Sequence, residues 1–147
     1  NIAIGQNAGK DDLIRSGNQH SALDRKTVLV VEDISSNYLL ISAMLSKHYN
    51  LLHAVNGEQA VAMVKEYKID LLLMDMKMPV MDGLTATAEI RKFDTNIPIV
   101  ALTAHAFESD KVAALKSGCN DYLVKPVDKA RLMSVLRKYC HPSTLVL

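Results

Sequence analysis

Five polar residues of this 147-residue chain stand where short apolar runs stop. Glu32 and Asp33 follow TVLVV, Asp75 follows IDLLLM, Thr103 closes IPIVALT, and Lys125 follows NDYLV. A carboxylate closing a buried segment is costly unless something pairs with it. Asp75 is therefore either a cap or turn residue, or it has partners elsewhere in the chain. Taken as a set, the five have one consistent chemistry. Three carboxylates brought together repel one another and need a cation, and an all-oxygen ligand set with few protein groups suits Mg²⁺, with Mn²⁺ as a substitute. A lysine ammonium and a threonine hydroxyl suit the oxygens of a phosphoryl group. A carboxylate can itself be the nucleophile, giving an acyl phosphate.

Convergence requires a scaffold. Apolar runs at 27–32, 49–55, 69–75, 97–103 and 120–125 read as strands, and helical spacing lies between them. Leu40, Ile41, Met44 and Leu45 form one stripe, and Ala60, Val61, Val64 and Tyr67 form a second. Leu132, Val135, Leu136 and Tyr139 form the cleanest i, i+3, i+4, i+7 pattern. Segments 84–93 and 108–117 are weaker helices bounded by Gly, Pro or Asn. Five strands alternating with five helices predict an α/β doubly wound parallel sheet covered on both faces, a (βα)5 three-layer sandwich. In such a sheet the strand ends share one edge, where ligands bind at the point of strand-order reversal.

On these residues the chain resembles the receiver domain of two-component phosphorelays. The resemblance covers roughly residues 27–139 and is carried by VVED, LLLMDMKMPVMDG, IVALTAHA and NDYLVKP, in that order. It implies a flavodoxin-like sheet of order 2-1-3-4-5. It also implies that Asp75 accepts a phosphoryl group from phosphohistidine. Asp33 would bind Mg²⁺, with Glu32 acting directly or through water and the Lys77 carbonyl as a further ligand. Lys125 would pair with the phosphoryl group, Thr103 would move to hydrogen-bond it, and Tyr122 matches the aromatic position that responds. The Lys125–Pro126 bond is implied to be cis. Asn37, the TAHA run and the polar stretch before Thr27 resemble receivers attached to hybrid sensor histidine kinases. The implied partners are a histidine phosphotransfer domain or a kinase dimerisation domain. The domain alone is then no enzyme beyond self-catalysed phosphotransfer and dephosphorylation, whereas its parent would be a kinase.

Several residues have plainer readings. Asp82-Gly83 looks like turn chemistry and helix entry. Met74, Met76, Met78 and Met81 have no Cys or His among them and read as packing, not a soft-metal site. His105 sits two residues past Thr103, either as a loop residue or, with Lys77, as a modulator of water access. His20, His48, His53 and His141 read as structural or solvated, and Cys119 as buried filler.

Composition closes off other classes. A formal charge of +1 makes no case for nucleic acid or a membrane surface, and no apolar run nears the ~20 residues of a bilayer span. Cys119 and Cys140 suggest neither a metal site nor a disulfide framework. The cytoplasm is the expected location, for a parent that can itself be membrane-anchored. Residues 1–26 read as a linker or arm with a marginal helix near Asp11–Arg15, 27–140 as the receiver, and 141–147 as a tail. The Asn start fits a piece of something longer, and HPSTLVL leaves no room for a DNA-binding output domain. Two alternatives stay open: a stand-alone receiver, and a Mg²⁺-dependent phosphatase with an aspartyl nucleophile. The phosphatase needs an acid two residues after Asp75, where Lys77 stands. No GxGxxG follows the first run and no GxxxxGK[ST] occurs.

Overall fold

A computed structural model describes residues 25–141; the expected marginal helix, His20 and nearly all of the expected arm and tail lie outside them. Five strands alternate with five helices: β1 (Thr27–Val31), α1 (Ser35–Leu45), β2 (Asn50–Ala54), α2 (Gly57–Glu66), β3 (Leu71–Asp75), α3 (Gly83–Arg91), β4 (Ile99–Thr103), α4 (Glu108–Ser117), β5 (Asp121–Val124) and α5 (Lys129–Cys140). The strands form one parallel sheet of order β2-β1-β3-β4-β5.

Alternation of side chains along each strand explains why the runs are apolar throughout. Val28, Val30, Leu71, Leu73, Val100 and Leu102 point to one face, where Ile41 and Leu45 of α1 and Leu132 and Leu136 of α5 cover them. Leu29, Val31, Leu72, Met74, Ile99 and Ala101 point to the other, under Ala60 of α2, Ala86 and Ile90 of α3, and Ala114 of α4. Met76, Met78 and Met81 pack at the margin of this second core, and Cys119 is buried in it.

Two stripe expectations need correction. Leu40 is exposed, and α1 buries Ile41 and Leu45 with Tyr38 and Met44 beside them. Tyr67 is also exposed, because α2 ends at Glu66 and Tyr67 is its extended C-terminal neighbour.

Helix starts differ in a way that bears on the site. Asn56, Asp82 and Asp128 each accept a backbone N–H three residues on, capping α2, α3 and α5. Ile34 and Phe107, before α1 and α4, offer no side-chain cap. The far end of α4 is tied down instead. Gly118 takes the left-handed conformation there (φ 118°), and its carbonyl accepts from Arg91 Nε at 2.9 Å. Arg91 also reaches Asn120 Oδ1, which accepts from the Ile99 N–H as well.

Candidate functional site

The C-terminal ends of β1, β3, β4 and β5 bring the expected residues to one edge. Glu32 follows β1 directly, and its N–H still donates to the Ala54 carbonyl of β2. Asp75 and Thr103 are the last residues of β3 and β4. Lys125 follows β5, its N–H donates to the Thr103 carbonyl at 2.7 Å, and the Lys125–Pro126 peptide is cis.

Glu32 is completely buried and Asp75 nearly so. The Lys125 ammonium lies 3.0 Å from Glu32 Oε1 and 3.0 Å from Asp75 Oδ2, so one cation balances two buried carboxylates. Burial lowers the lysine's affinity for its proton, but hydrogen bonds and charge from Glu32 and Asp75 outweigh it and hold its pKa above the ordinary value. Burial pushes the Glu32 carboxyl up. Lys125 opposes that rise, and the nearby Asp75 charge adds to it. The remaining oxygens meet backbone: Ile34 N–H donates to Glu32 Oε2 and Lys77 N–H to Asp75 Oδ1.

Asp33 completes a set of three carboxylates whose ligand oxygens lie within 4.8 Å of one another. Among the described residues, the Lys125 ammonium at 3.0 Å is the one charged partner of Glu32 Oε1, and it is shared with Asp75. Three carboxylates facing one shared ammonium leave an all-oxygen set with net negative charge, which fits a hard divalent cation such as Mg²⁺.

A cleft of about 270 Å³ opens over these groups, lined by Asp33, Asp75, Lys77, Thr103, His105 and Lys125 among others. The Thr103 hydroxyl is turned to its own loop and donates to the His105 carbonyl at 2.6 Å. The His105 ring is exposed and stacks on Phe107 at 5.0 Å. Tyr122 is half-buried on β5, beside the second core, with the Lys111 ammonium of α4 4.9 Å from its ring centre.

The loop after Asp75 is shaped by backbone approach. A Cβ on Gly83 would collide with the Asp75 carbonyl, so glycine is required there. Val80 is exposed with φ 72°, a conformation that a β-branched residue adopts at a cost. Gly57 N–H donates to the Met81 carbonyl, joining the loop to α2.

Sequence reasoning missed Gly57 and Lys111, since neither interrupts a pattern. His53 has the structural role expected of it: its Nε2 bonds the Glu32 carbonyl at 2.8 Å while its ring stacks on Tyr38 at 3.8 Å.

A single parallel sheet covered on both faces, with an acidic triad, a lysine and a threonine at its carboxyl edge, defines a receiver, and the chain belongs to the response regulator receiver domain family, which matches residues 28–137. It is a receiver domain of two-component signalling, homologous to those of hybrid kinases and response regulators. It is 42% identical over 118 residues to the sensor histidine kinase GacS of Pseudomonas protegens, and 40% identical over 119 residues to the hybrid signal transduction histidine kinase M of Dictyostelium discoideum. Each alignment covers 76% of this chain but only 13% and 5% of those proteins. Among solved structures, it is similar to the receiver domain of sensor histidine kinase PA1611 of Pseudomonas aeruginosa, which has a magnesium ion coordinated in its active-site cleft (TM-score 0.74, 39% identity, 79% of this chain and 98% of that one). It is also similar to the receiver domain of Ssk1 of Saccharomyces cerevisiae, co-crystallised with the histidine phosphotransfer protein Ypd1 (TM-score 0.75, 36% identity, 79% and 89%).

Proposed function

We propose that this receiver takes a phosphoryl group from a phosphohistidine onto Asp75 and changes conformation in response. The observation that carries the reading is the single Lys125 ammonium shared by Asp75 and Glu32. It supplies the charge that an incoming phosphoryl group needs beside the carboxylate it meets.

An Asp75 carboxylate oxygen attacks phosphorus, forming an O–P bond as the P–N bond to the donor imidazole breaks. The donor ring carries a proton on its other nitrogen, so when the phosphorylated nitrogen leaves with the bonding pair the donor returns to a neutral histidine. Glu32, Asp33, Asp75 and the Lys77 carbonyl would hold Mg²⁺, which when bound offsets charge on the phosphoryl oxygens. Such transfer asks the protein mainly for positioning and charge neutralisation. Lys125 gives up part of its pairing with Asp75 to meet the phosphoryl oxygens. The Thr103 hydroxyl exchanges a neutral bond to the His105 carbonyl for a charge-assisted one, which is roughly twice as strong. That difference between states is what a population shift requires. Tyr122 is placed to sense it, and His105 and Lys77 to modulate water access to the acyl phosphate.

The immediate donor is a histidine phosphotransfer domain or a kinase dimerisation domain, and the parent a hybrid sensor histidine kinase with this receiver in the cytoplasm. Likeness to the hybrid kinases supports the parent, and likeness to the Ypd1-bound receiver supports the donor class. Lys77, in place of a second acid, disfavours a phosphatase.

Intact-mass measurement after incubation with Mg²⁺ and acetyl phosphate tests the proposal. One hydroxylamine-sensitive phosphoryl adduct should form on the chain and be missing from Asp75→Ala. Absence of any adduct, or rapid turnover of diverse phosphoesters, would sink it.

A further inference from the structure

The geometry points to Lys111 of α4 as a positioning residue that latches Tyr122 in the unphosphorylated state and so holds back the conformational change. This deepens the receiver reading and rests on it.

Tyr122 lies on β5 and Lys111 on α4, so their contact crosses between two separate elements. The ammonium is 4.9 Å from the ring centre, within the range of a cation–π attraction. Among the described residues Lys111 has no carboxylate within ion-pair distance, and the Tyr122 hydroxyl has no hydrogen-bond partner. The ring is therefore held by packing along the second core and by the cation above it.

The same helix is coupled to the site. Four residues, Ala104 to Phe107, separate Thr103 from the first turn of α4. The Thr103 hydroxyl restrains that short loop through the His105 carbonyl. When the hydroxyl turns to a phosphoryl group, the restraint is lost at the end of α4 nearer Lys111. A shift there carries the ammonium off the ring, and Tyr122 is released. The cation thus favours the resting arrangement, by an amount that corresponds to about a 2- to 5-fold bias in population.

The test uses the full chain with Lys111→Met, Lys111→Arg and Tyr122→Leu. Methionine and arginine keep helix propensity close to that of lysine. Tyrosine ring signals are followed by NMR without phosphodonor, with Tyr122→Leu identifying the Tyr122 signals. Phosphorylation by acetyl phosphate and Mg²⁺ is followed by intact mass. Lys111→Met should shift the Tyr122 ring signals and speed phosphorylation about 2- to 5-fold, while Lys111→Arg restores both. In the Tyr122→Leu background, Lys111→Met should have no further effect on the rate. Unchanged ring signals in Lys111→Met, or a rate effect that persists without the Tyr122 ring, overturns the latch. If the unsubstituted chain takes no phosphoryl group, the receiver mechanism fails and the latch on it fails too. A normal wild-type adduct with unmoved ring signals removes the latch alone.

Discussion

The Gly57 N–H donates to the Met81 carbonyl at 3.0 Å, fastening the start of α2 to the loop that leaves Asp75. A Cβ at Gly57 would stand 2.6 Å from that carbonyl and 2.8 Å from Ala86 Cβ. Ala86 is fixed within α3, whereas the Met81 carbonyl belongs to the loop, so the loop is the part that must move. We expect Gly57→Ala to destabilise the fold by about 1–3 kcal/mol through overpacking. Displacement of the loop should also slow Asp75 phosphorylation. Urea titration and intact-mass time courses read the two effects, and an unaltered denaturation midpoint would refute the first.

Removing the shared cation should be more damaging to chemistry than to folding. In Lys125→Met the buried Glu32 loses its counter-charge and is expected to hold a proton instead. Phosphorylation by acetyl phosphate should fall on the order of 100-fold, as for removal of a preorganised donor facing developing charge. Lys125→Arg should recover only part of this, because a planar fork cannot occupy the position of a compact ammonium. Equal rates in wild type and Lys125→Met would show that the ammonium has no role in transfer.

The acidic triad predicts a reciprocal effect of metal and charge. Mg²⁺ binding only the folded chain stabilises it by RT ln(1 + [L]/Kd), about 2.7 kcal/mol at a hundredfold excess over Kd. Thermal melts should therefore rise with Mg²⁺. Asp33→Asn removes one of three mutually repelling carboxylates, so it should raise the metal-free midpoint while reducing the rise that Mg²⁺ produces. A variant that responds to Mg²⁺ as the wild type does would exclude Asp33 as a ligand.

Val80 offers a route to a more stable domain. Its left-handed backbone costs roughly 1–2 kcal/mol for an L-residue, and its exposed side chain gives up little packing if replaced. Val80→Asn should raise stability by about 0.5–1 kcal/mol, since asparagine tolerates this region far better. A lower melting temperature for the variant would contradict the strain.

Alkaline stability should depend on Cys140. Burial raises its thiol from 9.0 to about 11, so the folded chain keeps a proton that the unfolded chain loses first. Stability from this group is complete below pH 9 and declines as pH rises toward 11, by about 1.4 kcal/mol per unit. Cys140→Ala should flatten that limb in denaturant titrations taken between pH 8 and 11. An unchanged slope would remove the thiol as its source.

Much of this was readable from residue order. The strands announce themselves because both faces of the sheet are covered, leaving no polar alternation to confuse them, and charged residues stand out where they end such runs. Helix stripes were less dependable. Leu40 continues an apolar run in α1 yet faces solvent, because sequence spacing does not say which side of a helix a neighbouring strand will occupy. Contacts between distant elements were invisible for the same reason: Gly57 with Met81, Lys111 with Tyr122, and His53 with Tyr38 depend on how layers stack. The complete burial of Glu32 also follows from packing, where its position after β1 would equally have allowed an exposed residue.

The ends of α4 have unequal fates. Arg91 and the left-handed Gly118 moor one end, whereas the other begins at an exposed Phe107 with no side-chain cap. A ten-residue helix spans about 15 Å, so any tilt of its uncapped end would pivot on a fulcrum at the edge of the sheet remote from Asp75. Amide exchange should slow along the last two turns toward Ser117, and Arg91→Ala should speed exchange there by loosening the fulcrum while leaving the open first turn near Glu108 unchanged.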